Sequence, residues 1–229
     1  MIVVRVGILF SGGKDSVLAL KKIMDKEEVV CLISIFSENK ESYMFHTPNI
    51  WLTELQAEAM DLPLIKKSTE GRKEIELGDL REAINEAKEK FQIEAIGTGA
   101  LKSDYQRKRI NNICQELGLD CINPLWGKDQ VEILEDILKE KMNVIITGVF
   151  AEPFTRDWLG RKIDKNCIEE LEEISEKYQI NPAGEGGEIE TTVIDAPFFK
   201  NKIKIEDFSV EFSNYSGTMS IKKAVLEEK

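Results

Sequence analysis

Six consecutive residues, Ser11-Gly12-Gly13-Lys14-Asp15-Ser16, follow directly on the apolar run Val3-Val4-Arg5-Val6-Gly7-Ile8-Leu9-Phe10. A strand that ends in a Ser/Gly turn and opens a helix makes a phosphate cradle. The two glycines let the backbone curl so that successive N–H groups converge on one anion, and the helix adds the positive end of its dipole. Lys14 brings a full positive charge, and Ser11 and Ser16 bring hydroxyl donors. Asp15 repels a phosphate, so its place in the loop calls for a divalent cation between the two, which makes Asp15 a candidate Mg2+ ligand. The competing reading is a tight strand-to-helix turn with no ligand.

A second constellation lies far along the chain, at Gly184-Glu185-Gly186-Gly187-Glu188-Ile189-Glu190-Thr191. Glu185, Glu188 and Glu190 repel one another when ionised, so a purely structural loop gains nothing from them. A site that captures a cation, ammonia or an ammonium group needs them, and general acid–base work is the chemistry they offer. The plain alternative is a flexible acidic loop ahead of a strand.

Smaller signals sit at other predicted strand ends. Gly97-Thr98-Gly99-Ala100 closes the fourth predicted strand, where Gly97 and Gly99 permit close approach of a ribose or phosphate. Ser103-Asp104-Tyr105-Gln106-Arg107-Lys108-Arg109 opens the next helix. Arg107 or Arg109 suits a phosphate or a substrate carboxylate, with an ordinary N-cap and a solvated face as the alternative. The second predicted strand ends at Ser34-Ile35-Phe36-Ser37, and in a site built around the first loop its backbone faces the adenine, with Ser34 and Phe36 as candidates there. His46, the single histidine, stands in His46-Thr47-Pro48-Asn49 before the second helix, divided between a structural and a substrate role.

The elements that must position these residues alternate. Apolar runs at Val3–Phe10, Val29–Phe36, Leu62–Ile65, Ala95–Ile96 and Leu119–Ile122 read as strands. Helical stripes lie between them: Val17/Leu20/Met24, Leu52/Leu55/Ala59 with Thr47 as its cap, Leu80/Ile84/Ala87/Phe91, and Ile110/Ile113/Cys114/Leu117 ended by Gly118. Alternation with near-continuous apolar strands predicts a doubly wound, five-stranded parallel α/β sheet with its ligand at the carboxyl strand ends. After Trp126 come two helical stripes, a strand over Asn143–Phe150, and β-like segments at Thr191–Asp195, Lys202–Ile205, Phe208–Phe212 and Thr218–Ala224. These predict a smaller α+β domain over 127–229, following the first domain over 1–126.

Composition sets limits. The chain has 229 residues, 42% of them hydrophobic, enough for a sizeable core. No apolar run reaches membrane-spanning length, and the N-terminus lacks the basic-then-apolar signal pattern, so a soluble cytoplasmic protein is expected. A net charge of −11 argues against extended nucleic-acid binding and favours a partner with a basic docking surface. Four scattered cysteines without a C-x-x-C read as small hydrophobes rather than a zinc, iron–sulfur or redox site.

The Ser11–Ser16 string resembles the PP-loop, S-G-G-x-D-S, of the N-type ATP pyrophosphatases. Together with His46-Thr47-Pro48-Asn49, Gly97 to Arg109, Pro124-Leu125-Trp126, and Glu185 to Thr191 running on to Asp195-Ala196-Pro197, nearly the whole chain resembles the diphthine–ammonia ligases, or diphthamide synthases, of that superfamily. The family typically reads E-G-G-E-Y-E-T in the acidic loop, and Ile189 stands here for its tyrosine. The resemblance implies a HUP-like (adenine nucleotide α-hydrolase-like) fold, ATP and Mg2+ as cofactors, and ammonium and the diphthine form of translation elongation factor 2 as partners. It also implies roles. Ser11, Gly12, Gly13, Lys14 and Ser16 hold the leaving pyrophosphate, with Lys14 catalytic; that Glu185, Glu188 and Glu190 capture ammonium and take its proton is a hypothesis from the acid cluster itself. His46, Asn49, Ser103, Asp104, Tyr105, Gln106, Arg107, Arg109, Gly186, Gly187 and Thr191 shape the acceptor side. No residue-2 cysteine or cysteine nucleophile elbow accompanies them, so free ammonium is the expected donor rather than glutamine. Competing readings are a tRNA-modifying PP-loop enzyme of thiolase or lysidine type and a non-catalytic ATP sensor.

Overall fold

The computed structural model describes residues 3–37, 49–72 and 75–229. Its first half alternates strand and helix: β1 (Arg5–Leu9), α1 (Lys14–Met24), β2 (Glu28–Ser37), α2 (Leu52–Met60), β3 (Leu64–Thr69), α3 (Ile75–Phe91), β4 (Ala95–Gly97), α4 (Asp104–Glu116) and β5 (Asp120–Ile122). The five strands form one parallel sheet in the order β3-β2-β1-β4-β5. Chain direction across the sheet reverses between β1 and β4, so the connections leaving these two strands part and open a crevice at their carboxyl ends.

The strand period sorts the core. On β2, Cys31, Ile33 and Ile35 pack with Leu80 and Ile84 of α3 and Ile110 and Ile113 of α4, whereas Leu32 joins Val6, Ile8 and the α1 stripe on the opposite face. α4 ends as its sequence dictates: Gly118 takes φ 62° and the Leu119 N–H reaches back to the Cys114 carbonyl at 2.8 Å.

The second half contributes α5 (Gln130–Lys139), β6 (Asn143–Phe150), a 3-10 turn at Arg156–Trp158, α6 (Lys165–Tyr178), β7 (Ile189–Asp195), β8 (Asn201–Ser213) and β9 (Ser216–Glu228). Their sheet is antiparallel, in the order β7-β6-β9-β8. The segments expected at Lys202–Ile205 and Phe208–Phe212 are one strand. The register slips across Ile205–Phe208, where Glu206 and Asp207 interrupt the apolar pattern. Asn214 and Tyr215 both take positive φ and close the β8–β9 hairpin in two residues.

The two sheets share one apolar cluster that runs from Val6, Ile8 and Leu18 through Leu134 and Val144 to Val193 and Ile221. α2 is bound to the second sheet by polar ties as well: Trp51 Nε1 donates to the Ile221 carbonyl at 3.2 Å, and Lys200 Nζ pairs with Asp61 at 2.6 Å.

The cysteines need one correction. Cys31, Cys114 and Cys167 are buried as expected, but Cys121 is only partly buried, beside Cys114, and its sulfur accepts from Asn123 Nδ2 at 3.4 Å. α4 and β5 bring the two together at the end of α4 away from the crevice. No group of three or more metal-ligating side chains occurs among the described residues, and no described helix is long and apolar enough to cross a membrane.

Candidate functional site

A cavity of about 560 Å³ occupies the crevice between the ends of β1 and β4. Three surfaces enclose it. Ser11, Asp15 and Ser16 form one, from the loop after β1. Leu9, Phe10, Ile33, Ile35, Leu101 and Ile110 form an apolar wall, and the segment Gly184–Glu190 forms the third side. Flat apolar rings and anionic groups can therefore be accommodated together, which is the division a nucleotide requires.

The first loop is built by its backbone. Gly12 has φ +77°, and a Cβ there would overlap the Oε1 atom of Gln56, so only glycine fits. The N–H groups of Gly12 and Gly13 bond to no described residue, while the Gly13 carbonyl accepts from Val17 N–H at 3.1 Å and from Ser16 Oγ at 3.0 Å. Ser11 Oγ donates to Ser16 Oγ at 3.2 Å. Lys14 is buried behind the cavity surface, its ammonium 2.7 Å from Asp15 Oδ2. The other oxygen, Asp15 Oδ1, is buried and carries no partner. A buried carboxylate oxygen left over in this way, on the cavity wall, fits a divalent cation.

The acidic loop separates into three different residues. Glu188 turns inward: Oε1 accepts from Asn181 N–H (3.0 Å) and Asn181 Nδ2 (2.7 Å), and Oε2 accepts from Gly186 N–H (2.9 Å). Its work is to fold the loop, and it does not line the cavity. Glu185 faces the cavity and accepts from Lys102 N–H at 3.1 Å; burial holds its carboxyl above the usual range, and the nearby Asp15 charge pushes the same way. Glu190 also faces the cavity. Burial raises its pKa to about 8, and its Oε2 is buried without a partner. Ile189, in the tyrosine position, is buried against the cavity.

Other expected site residues divide between wall and scaffold. Ser103 and Gln106 line the cavity, with Ser103 also acting as N-cap of α4 through Gln106 N–H at 3.4 Å. Gly186 and Gly187 line it, as does Gly99, where a Cβ would press at 2.7–2.8 Å on the backbone of Asp15 and Ser16. Gly97 does not: its missing side chain makes room for Ile8 and Ile23 in the core. Asp104 pairs with Arg107 at 3.0 Å, the Arg107 guanidinium lies 3.9 Å from the centre of the Trp126 ring, and that of Arg109 lies 3.4 Å from the Tyr105 ring. None of these four α4 residues lines the cavity, because aromatic faces hold both guanidinium groups on the helix flank. Ser34 is buried and donates to the Phe10 carbonyl at 2.6 Å, and Phe36 stacks under Lys66 at 4.9 Å; neither lines the cavity. Asn49 serves β9: its amide bonds the Met219 carbonyl at 2.9 Å and the Ile221 N–H at 2.7 Å, as a neighbouring strand would. His46, with Thr47 and Pro48, lies outside the described residues.

Strand β7 meets the first loop directly. Thr191 Oγ1 accepts from Lys14 N–H at 3.1 Å, and Val193 N–H donates to the Gly12 carbonyl at 3.1 Å. Two sets of contributors escaped sequence reasoning. The apolar wall of Ile33, Ile35, Leu101 and Ile110 reads as ordinary core, since burial in a cavity wall and in a core demand the same residue types. Gln56, fully buried on α2, touches the loop as well; its only signal is an amide set within the apolar stripe Leu52/Leu55/Ala59.

A parallel β3-β2-β1-β4-β5 sheet with a Ser-Gly-Gly-Lys-Asp-Ser loop after its first strand, facing an acid loop from a second sheet, defines a PP-loop, HUP-like α/β protein. Its family follows from comparison with known proteins. The diphthamide synthase N-terminal domain matches residues 4–121, and the diphthamide synthase C-terminal domain matches residues 129–226. The chain belongs to the diphthamide synthase family. It is 34% identical over 227 residues to the diphthine–ammonia ligase of Bos taurus, covering 90% of this chain and 84% of that protein. The Mus musculus enzyme of the same name is 35% identical, covering 88% of this chain and 83% of its own length. The Homo sapiens enzyme is 34% identical, covering 90% and 84%. A solved structure, that of a predicted subunit of tRNA methyltransferase from Methanocaldococcus jannaschii, aligns at 18% identity and TM-score 0.43, over 85% of this chain and 98% of that one.

Proposed function

We propose that the protein is an ATP-dependent carbon–nitrogen ligase that amidates diphthine on translation elongation factor 2 with ammonium, in the cytoplasm, releasing AMP and pyrophosphate. One observation carries the reading: a single cavity has the PP-loop on one side and, on the other, Glu190, whose Oε2 is buried without a partner and whose pKa is raised to about 8.

The chemistry divides between these two sides. A carboxylate oxygen of diphthine attacks the α-phosphorus of ATP, the bond to the β-phosphate breaks, and pyrophosphate leaves. The N–H groups of Gly12 and Gly13, with Ser11 and Ser16, offset the charge that develops on it. Lys14, buried against Asp15, adds the fixed positive charge of the loop. Mg2+, held at the free oxygen of Asp15, would screen the repulsion between that carboxylate and the phosphates. The apolar wall takes the adenine. Ammonia then attacks the adenylated carbonyl carbon, and AMP departs with one of the original carboxylate oxygens.

Ammonium must lose a proton before it attacks. Glu190 is suited to take it: a carboxyl whose pKa is raised to about 8 is a much stronger base, once ionised, than an ordinary carboxylate. Glu185 faces the same space, and its negative charge attracts the cation. Glu188, bound three times by its own loop, positions the other two.

The test is turnover with Mg-ATP, ammonium and diphthine-bearing elongation factor 2, following AMP and the mass of the modified histidine. AMP that depends on both ammonium and the factor, with a hydroxyl replaced by an amino group in mass, establishes the reaction. AMP formed with tRNA instead moves the acceptor to RNA, and tight ATP binding without AMP in either case makes the protein a sensor.

A further inference from the structure

Gln56 is a fully buried amide on the inner face of α2, which it shares with Leu52, Thr53, Ala57, Ala59 and Met60. Such a group is costly to bury unless its hydrogen bonds are made. Both donors of its Nε2 are used, on the Gly12 carbonyl at 2.9 Å and on the Val193 carbonyl at 2.8 Å, while its Oε1 is buried without a partner. One side chain thus joins the phosphate loop of the first sheet to β7 of the second. Val193 N–H donates to the same Gly12 carbonyl at 3.1 Å, and Thr191 Oγ1 accepts from Lys14 N–H at 3.1 Å. The loop is therefore tied to β7 on both sides of Gly13.

The geometry of a peptide gives this a consequence. In a planar trans peptide the carbonyl and the following N–H point in opposite directions. Fixing the Gly12 carbonyl toward β7 aims the Gly13 N–H away from β7. Lys14 N–H is already taken by Thr191, which removes it from the donors that the loop and the first turn of α1 offer and leaves those of Gly12 and Gly13 free. The same strand carries Glu190 one residue before Thr191, so the contacts that shape the donor set also set its distance from the acid.

We propose that Gln56 is a positioning residue for the phosphate loop, acting with Thr191 so that the loop adopts its anion-binding shape only while docked on β7. The inference rests on the reading of Ser11–Ser16 as a phosphate loop, but the contacts themselves are independent of the reaction. Gln56 touches no reacting atom. It makes two loops from different sheets behave as one preassembled site.

The experiment compares Q56M, which keeps the length of the side chain and removes its donors, with T191V and T191S. Two readouts are needed: peptide-level amide hydrogen exchange on the protein alone, and calorimetric binding of Mg-pyrophosphate. Q56M is expected to speed exchange in the segments covering 11–17 and 190–194, leaving β3 and the β8–β9 hairpin as in wild type. Pyrophosphate affinity falls on the order of ten-fold, the scale of losing well-formed buried hydrogen bonds. T191V repeats the pattern and T191S, which keeps the hydroxyl, restores it. The Q56M/T191V double variant is little worse than either single change, since both release the same element. Unchanged loop exchange with affinity within about two-fold of wild type, or exchange that rises evenly through the whole first sheet, overturns the proposal. Should Q56M fail to fold, the T191V and T191S pair decides by the same criteria. Wild-type protein that binds neither pyrophosphate nor ATP removes the ligase reading, while the exchange pattern still decides the role of Gln56.

Discussion

The phosphate loop and the acidic loop face each other across one cavity, yet they are specified in opposite ways. In the proposed reading the backbone of Ser11–Ser16 does the binding, and Gly12 and Gly13 shape it by the side chains they lack. In Gly184–Thr191 the same reading gives the chemistry to side chains, and which of them are suited to it depends on where each carboxylate is buried. The first kind of site is fixed by residue type and spacing. The second is fixed by packing, so three acids alike in sequence become a loop staple (Glu188), a partly satisfied cavity acid (Glu185) and an unpartnered acid with a pKa near 8 (Glu190).

The largest effect should come from breaking the backbone site. Gly12→Ala forces a side chain into φ +77° and against Gln56 Oε1. A destabilisation of roughly 2–4 kcal/mol is expected from the left-handed backbone and the overlap together. Denaturant unfolding measures it, and ATP and pyrophosphate binding should fall below detection in the folded fraction. Wild-type affinity in this variant would show that the backbone of the loop is not what holds the anion.

The next comparison sets the acids against one another. Glu190→Gln should lower turnover about 100-fold, in the range of a lost general base, while raising stability near neutral pH, because the amide folds without the proton that the buried carboxyl must take up. Glu188→Ala should do the reverse: a stability loss of about 1–3 kcal/mol as Asn181 and Gly186 lose their acceptor, with turnover in the folded protein kept within a few-fold. Equal losses of turnover from both changes would return the three acids to equivalence.

A smaller effect tests which cations belong to the site. Arg107→Ala removes the stacking on Trp126 and the pair with Asp104, at a cost of about 0.5–2 kcal/mol in stability. ATP affinity should be unaffected, because the guanidinium lies on the helix flank. A ten-fold loss of ATP affinity on the order of one missing charged hydrogen bond would bring Arg107 back to the phosphates.

The same contrast explains what the sequence made legible. Every strand and helix of the parallel sheet is visible in the apolar periods, and the PP-loop, the switch-point glycine Gly99 and the facing acid loop are visible in residue type. The register slip that joins β8 across Glu206-Asp207 is not, because a bulge looks like a break when only the apolar pattern is read. Nor are the roles of Arg107, Arg109 and Asn49. A cation or amide beside a motif looks available to a ligand until the ring or the strand edge that occupies it is known. Gln56 is hidden for the complementary reason: its partners are backbone carbonyls 44 and 137 residues away, and backbone leaves no mark on residue type.

The pH dependence of stability is the most direct reading of Glu190, since it needs no substrate. Burial raises the pKa of this carboxyl from 4.5 to about 8, so between those values the folded chain holds a proton that the unfolded chain has released. Stability therefore falls as pH rises through this window. The contribution is fully present below the ordinary carboxylate pKa and is lost once pH passes the folded value. Glu185 is shifted in the same direction by burial and adds a slope of the same sign in wild type and variant alike. The difference between wild type and Glu190→Gln isolates the one group: the amide variant should gain on wild type steadily from the ordinary carboxylate range up to about pH 8, then run parallel to it. Urea midpoints across that range measure the difference. A flat difference curve would mean that Glu190 is ionised in the folded protein at neutral pH. The acidic loop would then act on ammonium by charge alone, as the phosphate loop acts on its anion, and the contrast between the two loops would shrink to one of sign.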